Sequence, residues 1–201
     1  MHKPFSQACE NNKGPILAAL SPHLATAGNV LEIGSGTGQH AVFFAANMPQ
    51  LNWQCSDQAE NLAGIKLWLD EADLQNLPAP LALNVLAQWP SSNSGPKSYD
   101  AIYSANTCHI MSWAMVEAMF KGINFALNPG GIVAIYGPFN YAGEFTSDSN
   151  AAFDQYLRDV HPQQGIRDFE AVNALAEAIG TRLVADYAMP ANNRLLIWQK
   201  A

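Results

Sequence analysis

Three sets of polar residues in this chain have the types and spacing to hold a ligand or move a proton. The first is Gly34-Ser35-Gly36-Thr37-Gly38, in which every other position lacks a Cβ. Such a backbone turns sharply and lets a ligand approach closely, and a helix starting behind it aims unpaired N–H groups at whatever sits above. The second set is acidic. Glu32 stands two residues before the first glycine, and Asp57 stands 19 residues beyond Gly38. That distance suits a carboxylate that ends the next strand and accepts hydrogen bonds from ribose hydroxyls; a helix N-cap is the plainer role for Asp57, and the two are compatible. The third is His109 in Asn106-Thr107-Cys108-His109. Its imidazole can take a proton from a hydroxyl or amine near neutral pH, or it can simply hold the loop by hydrogen bonds.

The details of the glycine stretch separate several ligand classes. A dinucleotide fingerprint needs G-x-G-x-x-G, but here the third glycine comes one residue early and Gln39 fills its place. No Lys-Ser/Thr pair follows, which excludes a P-loop. Glu32 would repel a pyrophosphate and suits an amine-bearing or cationic ligand. Glu32-x-Gly34-x-Gly36-x-Gly38 resembles the signature of class I S-adenosylmethionine-dependent methyltransferases. The plain alternative is a glycine loop that serves only a tight turn.

Elements must place these groups. Val30, Leu31 and Ile33 form a β-branched and apolar run, and from Gln39 the apolar residues Ala41, Phe44, Ala45 and Met48 take helical spacing. Leu51, Trp53 and Cys55 alternate as a second strand; Leu62, Ile65 and Leu69 form a helical stripe. Residues 81–85 read as a third strand, and Trp89 with residues 90–97 as exposed connection. Residues 99–104 read as a fourth strand, 112–127 as a helix, and 132–136 as a fifth strand entered through Asn128-Pro129-Gly130-Gly131. Residues 168–179 read as a helix closed by Gly180. Two last strands, 183–187 and 195–198, flank Asn192-Asn193, which is good turn chemistry.

This pattern predicts one domain over residues 1–201: a doubly wound α/β sheet, Rossmann-like, of about seven mostly parallel strands with one antiparallel strand. Residues 1–27 are polar first and then helical, with Pro15 at the first turn and Ile16, Leu17, Leu20 and Leu24 as the apolar stripe. They read either as a solvated leader before a packing helix or as a lid that brings Glu10, Asn11 or Lys13 to the site. Residues 141–167 read as a helical insertion on the substrate side.

Further motifs narrow the resemblance. Pro4-Phe5-Ser6, Glu10-x-Asn12-Lys13, Tyr136-Gly137-Pro138-Phe139, Gly143-Glu144-Phe145-Thr146, Gly165-Ile166-Arg167-Asp168 and Met189-Pro190-Ala191-Asn192-Asn193 occur in that order. Together they are similar to a family of methyltransferase-like proteins that includes methyltransferase-like protein 26. The resemblance implies S-adenosyl-L-methionine as cofactor, held by Glu32, Gly34, Ser35, Gly36, Thr37, Gly38, Asp57, Asn84, Val85 and Asn106. Asn84 takes the place of the aspartate that receives the adenine amino group in many methyltransferases. His109, Tyr136 and Arg167 are the candidate catalytic residues. Arg167 either pairs with a substrate carboxylate or phosphate or makes a structural salt bridge. Asn12, Lys13, Asn192 and Asn193 are the candidate acceptor contacts. The Asn/Asp-Pro-Pro-Tyr/Phe tetrads of nucleobase and glutamine N-methyltransferases are absent.

Composition bounds the function. The 201 residues carry 10 basic and 17 acidic side chains, a net charge of −7, with no Lys/Arg cluster, which argues against a nucleic-acid substrate. No apolar run has membrane-spanning length, and no apolar signal core follows Met1-His2-Lys3-Pro4. Cys9, Cys55 and Cys108 are far apart and odd in number, which suits a reducing cytoplasm and neither a disulfide framework nor a zinc site. The expectation is a cytoplasmic methyltransferase of a small-molecule acceptor, without metal. A protein that binds the cofactor without turnover is the second reading, and a nicotinamide oxidoreductase the third.

Overall fold

The computed structural model describes residues 2–87, 89 and 99–201. Helix α1 (Gln7–Leu20) leads into a sheet built from β1 (Asn29–Ile33), β2 (Asn52–Asp57), β3 (Leu81–Ala82), β4 (Tyr99–Ala105), β5 (Leu127–Gly137), β8 (Thr181–Met189) and β9 (Asn193–Lys200). Helices α2 (Gln39–Asn47), α3 (Leu62–Ala72), α4 (Trp113–Ala126) and α6 (Phe169–Ala178) connect them. A two-stranded ribbon, β6 (Phe139–Asn140) with β7 (Arg167–Asp168), and helix α5 (Asp148–Val160) lie between β5 and α6. The strand order is β3-β2-β1-β4-β5-β9-β8; only β9 runs against its neighbours. The expected mostly parallel sheet with one antiparallel strand is what the chain forms.

Both faces of the sheet are covered, and the strand residues alternate between two cores as a pleated strand requires. Leu31, Ile33, Ile102, Val133, Ile135, Leu196 and Trp198 face α4 and α6, where they meet Val116 and Val172. Val30, Ala101, Tyr103, Ala134, Leu195 and Ile197 face the other way, toward Ile16 of α1, Phe44 of α2 and Ile65 of α3. The strand order reverses between β1 and β4, which opens a crevice at their carboxyl ends.

Several elements differ from the sequence expectation. Pro15 lies deep inside α1, which begins at Gln7 because the Ser6 hydroxyl caps it by accepting from the Cys9 N–H. The third strand stops at Ala82, since Asn84 folds its side chain onto the Leu86 N–H and turns the chain. Trp89 is buried, not exposed: its indole lies where a Cβ on Gly122 of α4 would stand, so the missing side chain makes the slot. Residues 90–97 lie outside the described residues. Strand β5 takes in Asn128 to Gly131 as an irregularity with Gly130 at φ 75, and both strands of the last hairpin are longer than their apolar cores. Arg167-Asp168 pairs with Phe139-Asn140, so Arg167 is strand and only Asp168 precedes α6.

Candidate active site

A cavity of about 1000 Å³ opens at the carboxyl ends of β1, β2, β4 and β5. One end of its wall is the glycine turn from Gly34 to Thr37; Gly38 lies off the wall, against Ile65. Gly34, Gly36 and Gly38 have φ of 71, 57 and 88, a backbone region that L side chains rarely adopt. Gly34 has a second reason to be glycine, because a Cβ there would stand 2.5 Å from Thr107 Cγ2. The turn is tied to the end of β2: the Gly34 and Ser35 N–H groups donate to the Ser56 carbonyl, at 2.9 and 3.0 Å. The Gly36 N–H donates to Asp57 Oδ2 at 2.7 Å. The other carboxylate oxygen of Asp57 accepts from the Gln58 N–H and the Asn61 amide, at 2.7 and 2.8 Å. Asp57 is buried and on the wall. It does not cap α3, whose N-cap is Asn61.

Glu32 sits behind this wall rather than on it. It is 2% exposed; the Trp53 indole N–H donates to its Oε2 at 2.8 Å, and Ser35, which does line the cavity, stands between it and the cavity. Burial pushes its carboxyl up to about 7, against the pull of the Trp53 and Ser35 polar groups. Any influence on a ligand amine is therefore exerted through Ser35 and the turn. Asn84 and Val85 reach the wall at the β3 end, with Asn84 Oδ1 already accepting from Leu86 N–H at 3.0 Å.

The other end of the cavity is built by the loop after β4, the end of β5, α1, α5 and the last hairpin. Asn106, left-handed at φ 58, donates its N–H to the Tyr136 carbonyl and lines the wall. His109 is 6% exposed, edge-on to Phe153 with ring centroids 5.4 Å apart. Its carbonyl accepts from the Gly165 N–H, while its ring nitrogens meet no protein hydrogen-bond partner among the described residues. Burial, and secondly the Arg167 charge, lower its pKa to about 4, so the ring is neutral. Tyr136 is buried and shares the wall with Asn12 and Asn193, and burial raises the pKa of its phenol.

Asn12 ties down a residue to which sequence reasoning gave no role. His40 Nε2–H donates to Asn12 Oδ1 at 2.6 Å, leaving Nδ1 to face the Tyr103 hydroxyl at 3.5 Å. His40 lines the cavity, and burial lowers its pKa to about 4. Gln39, in the place of the missing third glycine, explains the approach of α1. Its Oε1 accepts the Ser6 N–H at 2.6 Å and its Nε2 donates to Glu10 Oε1 at 2.6 Å. A glutamine where small residues are usual was the one sequence signal of this contact.

The remaining expected site residues divide. Asn12 and Asn193 are on the wall; Lys13 is not, and pairs with Glu10. Asn192 staples the hairpin to α5, donating to Ser149 Oγ at 3.1 Å while its carbonyl accepts from Asn150. Arg167 is off the wall and makes neither a salt bridge nor an open anion site. Its guanidinium donates to the carbonyls of Cys108 at 3.0 Å, Gln163 at 2.8 Å, and Met111. It thereby braces both flanks of His109. Among the described residues no three His, Cys, Asp or Glu side chains group as metal ligands, and no helix is long and apolar enough to cross a membrane.

A strand order of this kind, with a glycine turn and a carboxylate at the switch point, is the class I methyltransferase fold. Residues 3–200 match the family described as "Protein of unknown function (DUF938)", and the chain belongs to that family. Solved structures share the fold at low identity. Human N-acetylserotonin methyltransferase in complex with S-adenosylmethionine superposes with TM-score 0.79 at 14% identity, covering 97% of this chain and 53% of that one. The S-adenosylmethionine-dependent methyltransferase SibL, in its apo form, gives 0.77 at 21%, covering 96% and 55%. An O-methyltransferase family protein from Burkholderia thailandensis gives 0.77 at 15%, covering 94% and 58%. The chain thus spans little more than half the length of these proteins.

Proposed function

We propose that the protein is an S-adenosylmethionine-dependent methyltransferase of a small-molecule acceptor, close in kind to the methyltransferase-like proteins that its motifs resemble. The observation that carries this reading is one continuous cavity with the glycine turn and Asp57 at one end and His109, Tyr136 and Asn12 at the other. Its volume lies at the upper end of what a single drug-sized ligand needs, which leaves room for two molecules.

The residues present suit the cofactor. Asp57 Oδ2 carries one hydrogen bond and has a lone pair left for a ribose hydroxyl. A Cβ on Gly36 would meet nothing within 4 Å, so the turn is open on the cavity side. Val85 offers an apolar face and Asn84 an amide at the β3 end, Ser35 within the turn and Asn106 beside it offer polar groups, and Glu32 lies buried behind. S-adenosylmethionine, when bound, supplies a methyl group on a positively charged sulfur, an electrophile that needs positioning more than activation.

The acceptor side follows from the chain's own groups. His109, neutral and with free ring nitrogens, takes the proton that a hydroxyl or thiol acceptor releases. Tyr136, beside Asn12 and Asn193 on the wall, orients the acceptor, and α5 from the 141–167 segment closes this side with Ser149, Asn150 and Phe153. Arg167 acts as a positioning residue, fixing the loop that carries His109. The test is incubation with methyl-labelled cofactor and a deproteinised metabolite extract. Label in a small molecule, with an equal amount of demethylated cofactor, supports the reading; binding without any labelled product contradicts the enzyme reading and leaves a cofactor-binding protein.

A further inference from the structure

The cavity wall is almost free of charge. Among the described residues that line it, Asp57 alone carries a formal charge at neutral pH. It stands at the glycine-turn end, with three donors already aimed at its carboxylate. The acceptor end has carboxamides, a phenol and two imidazoles, and burial keeps both imidazoles unprotonated. Lys13 is paired with Glu10, and Arg167, whose charge is felt at His109, lies off the wall with its donors turned to backbone carbonyls, so neither offers an ion pair inside the cavity. An ion entering this end would exchange its hydration for neutral dipoles, and buried ions recover that loss only from an opposite charge. An uncharged hydroxyl meets no such barrier, since amides and imidazoles replace its water hydrogen bonds. Ile110 and Phe153, 51% and 37% exposed, form an apolar rim, and Met111 and Met115 extend it inward with side chains that adapt to shape.

We propose that the acceptor is an uncharged molecule with a ring-sized apolar body and one hydroxyl-bearing polar edge, and that carboxylates, phosphates and ammonium compounds are excluded. The apolar body lies against Ile110, Phe153 and the two methionines, and the polar edge faces His109 and Tyr136. The assignment of this ligand as acceptor rests on the methyltransferase reading above; the charge rule of the cavity does not.

Three probes share a ring system and differ in charge at neutral pH: 2-naphthol, 2-naphthoate and 2-naphthylmethylammonium. Calorimetric titration of each into the protein, with and without saturating S-adenosylhomocysteine, reads the rule directly. The neutral probe is expected to bind at least about tenfold more tightly than either ion. Met115→Lys, which adds a cation to the rim, is expected to move naphthoate ahead of naphthol. The proposal is overturned if either ion matches naphthol, if none of the three binds, or if Met115→Lys leaves the order unchanged. Failure of S-adenosylhomocysteine itself to bind removes the methyltransferase reading alone, because naphthol against naphthoate is still read on the free protein, where Asp57 offers an anion no site.

Discussion

Asp57 Oδ2 accepts a 2.7 Å hydrogen bond from the Gly36 N–H, which joins the end of β2 to the middle of the turn after β1. The group best placed for a ribose hydroxyl therefore also shapes the turn that would lie under the cofactor. Asp57→Ala should leave the Gly36 N–H, the Gln58 N–H and the Asn61 amide without their acceptor. A loss of about 1–3 kcal/mol in urea unfolding is expected, since buried donors without partners cost that much. Cofactor binding should weaken by at least about tenfold, the equivalent of one such lost bond.

Gly34 faces two constraints that can be separated. Gly34→Ala puts a Cβ 2.5 Å from Thr107 Cγ2 and forces a side chain to φ 71. About 1–3 kcal/mol of destabilisation is expected from the strain. Thr107→Ser removes Cγ2 but keeps the hydroxyl that bonds Ser104 at 2.6 Å. The double variant should recover part of the loss and not all of it. Full recovery in the unfolding curves would mean that the backbone conformation costs nothing.

The contact of α1 with α2 hinges on Asn12, whose Oδ1 accepts from His40 Nε2–H. Asn12→Ala should cost about 1–3 kcal/mol, because the buried His40 ring loses its partner. Hydrogen exchange should quicken first in α1. Uniform quickening across the sheet would contradict a local lid contact.

Glu32 makes stability depend on pH in a direction opposite to most carboxylates. Its folded pKa is about 7 and its ordinary value 4.5, so between those pH values the folded state keeps a proton that the unfolded state has lost. Its contribution is complete below pH 4.5 and falls as pH rises to 7, by at most about 1.4 kcal/mol per pH unit. His40 and His109, lowered from 6.5 to about 4, act the other way over the same range. The difference between wild type and Glu32→Gln isolates the carboxyl. That difference should move against wild type from pH 5 to 7 in thermal unfolding; a flat difference would mean that Glu32 ionises normally.

The sheet and the glycine turn were legible because their signals are local. The apolar run of β1, the alternation of Leu51, Trp53 and Cys55 in β2 and the stretch from Glu32 to Gly38 need no knowledge of distant residues. The start of α1 was misplaced because Pro15 looks like a first-turn residue, whereas the Ser6 cap upstream decides it. Strand β3 was overextended because Leu83 and Val85 are apolar, but the Asn84 turn outweighs them. His40 and Asn12 lie 28 positions apart, and nothing in either neighbourhood announces the other. Arg167 was read for a charged partner, while its true partners are carbonyls, which every residue carries and no sequence pattern marks.

The most direct test of the central claim is calorimetric titration of the purified protein with S-adenosylmethionine, S-adenosylhomocysteine and NAD, with Asp57→Ala as control. The account expects both sulfur compounds to bind in the micromolar range, NAD not to bind, and the binding to weaken at least about tenfold in the variant while its fold persists by circular dichroism. Binding of NAD alone, or of none of the three, would contradict it and reduce the glycine turn to a structural device.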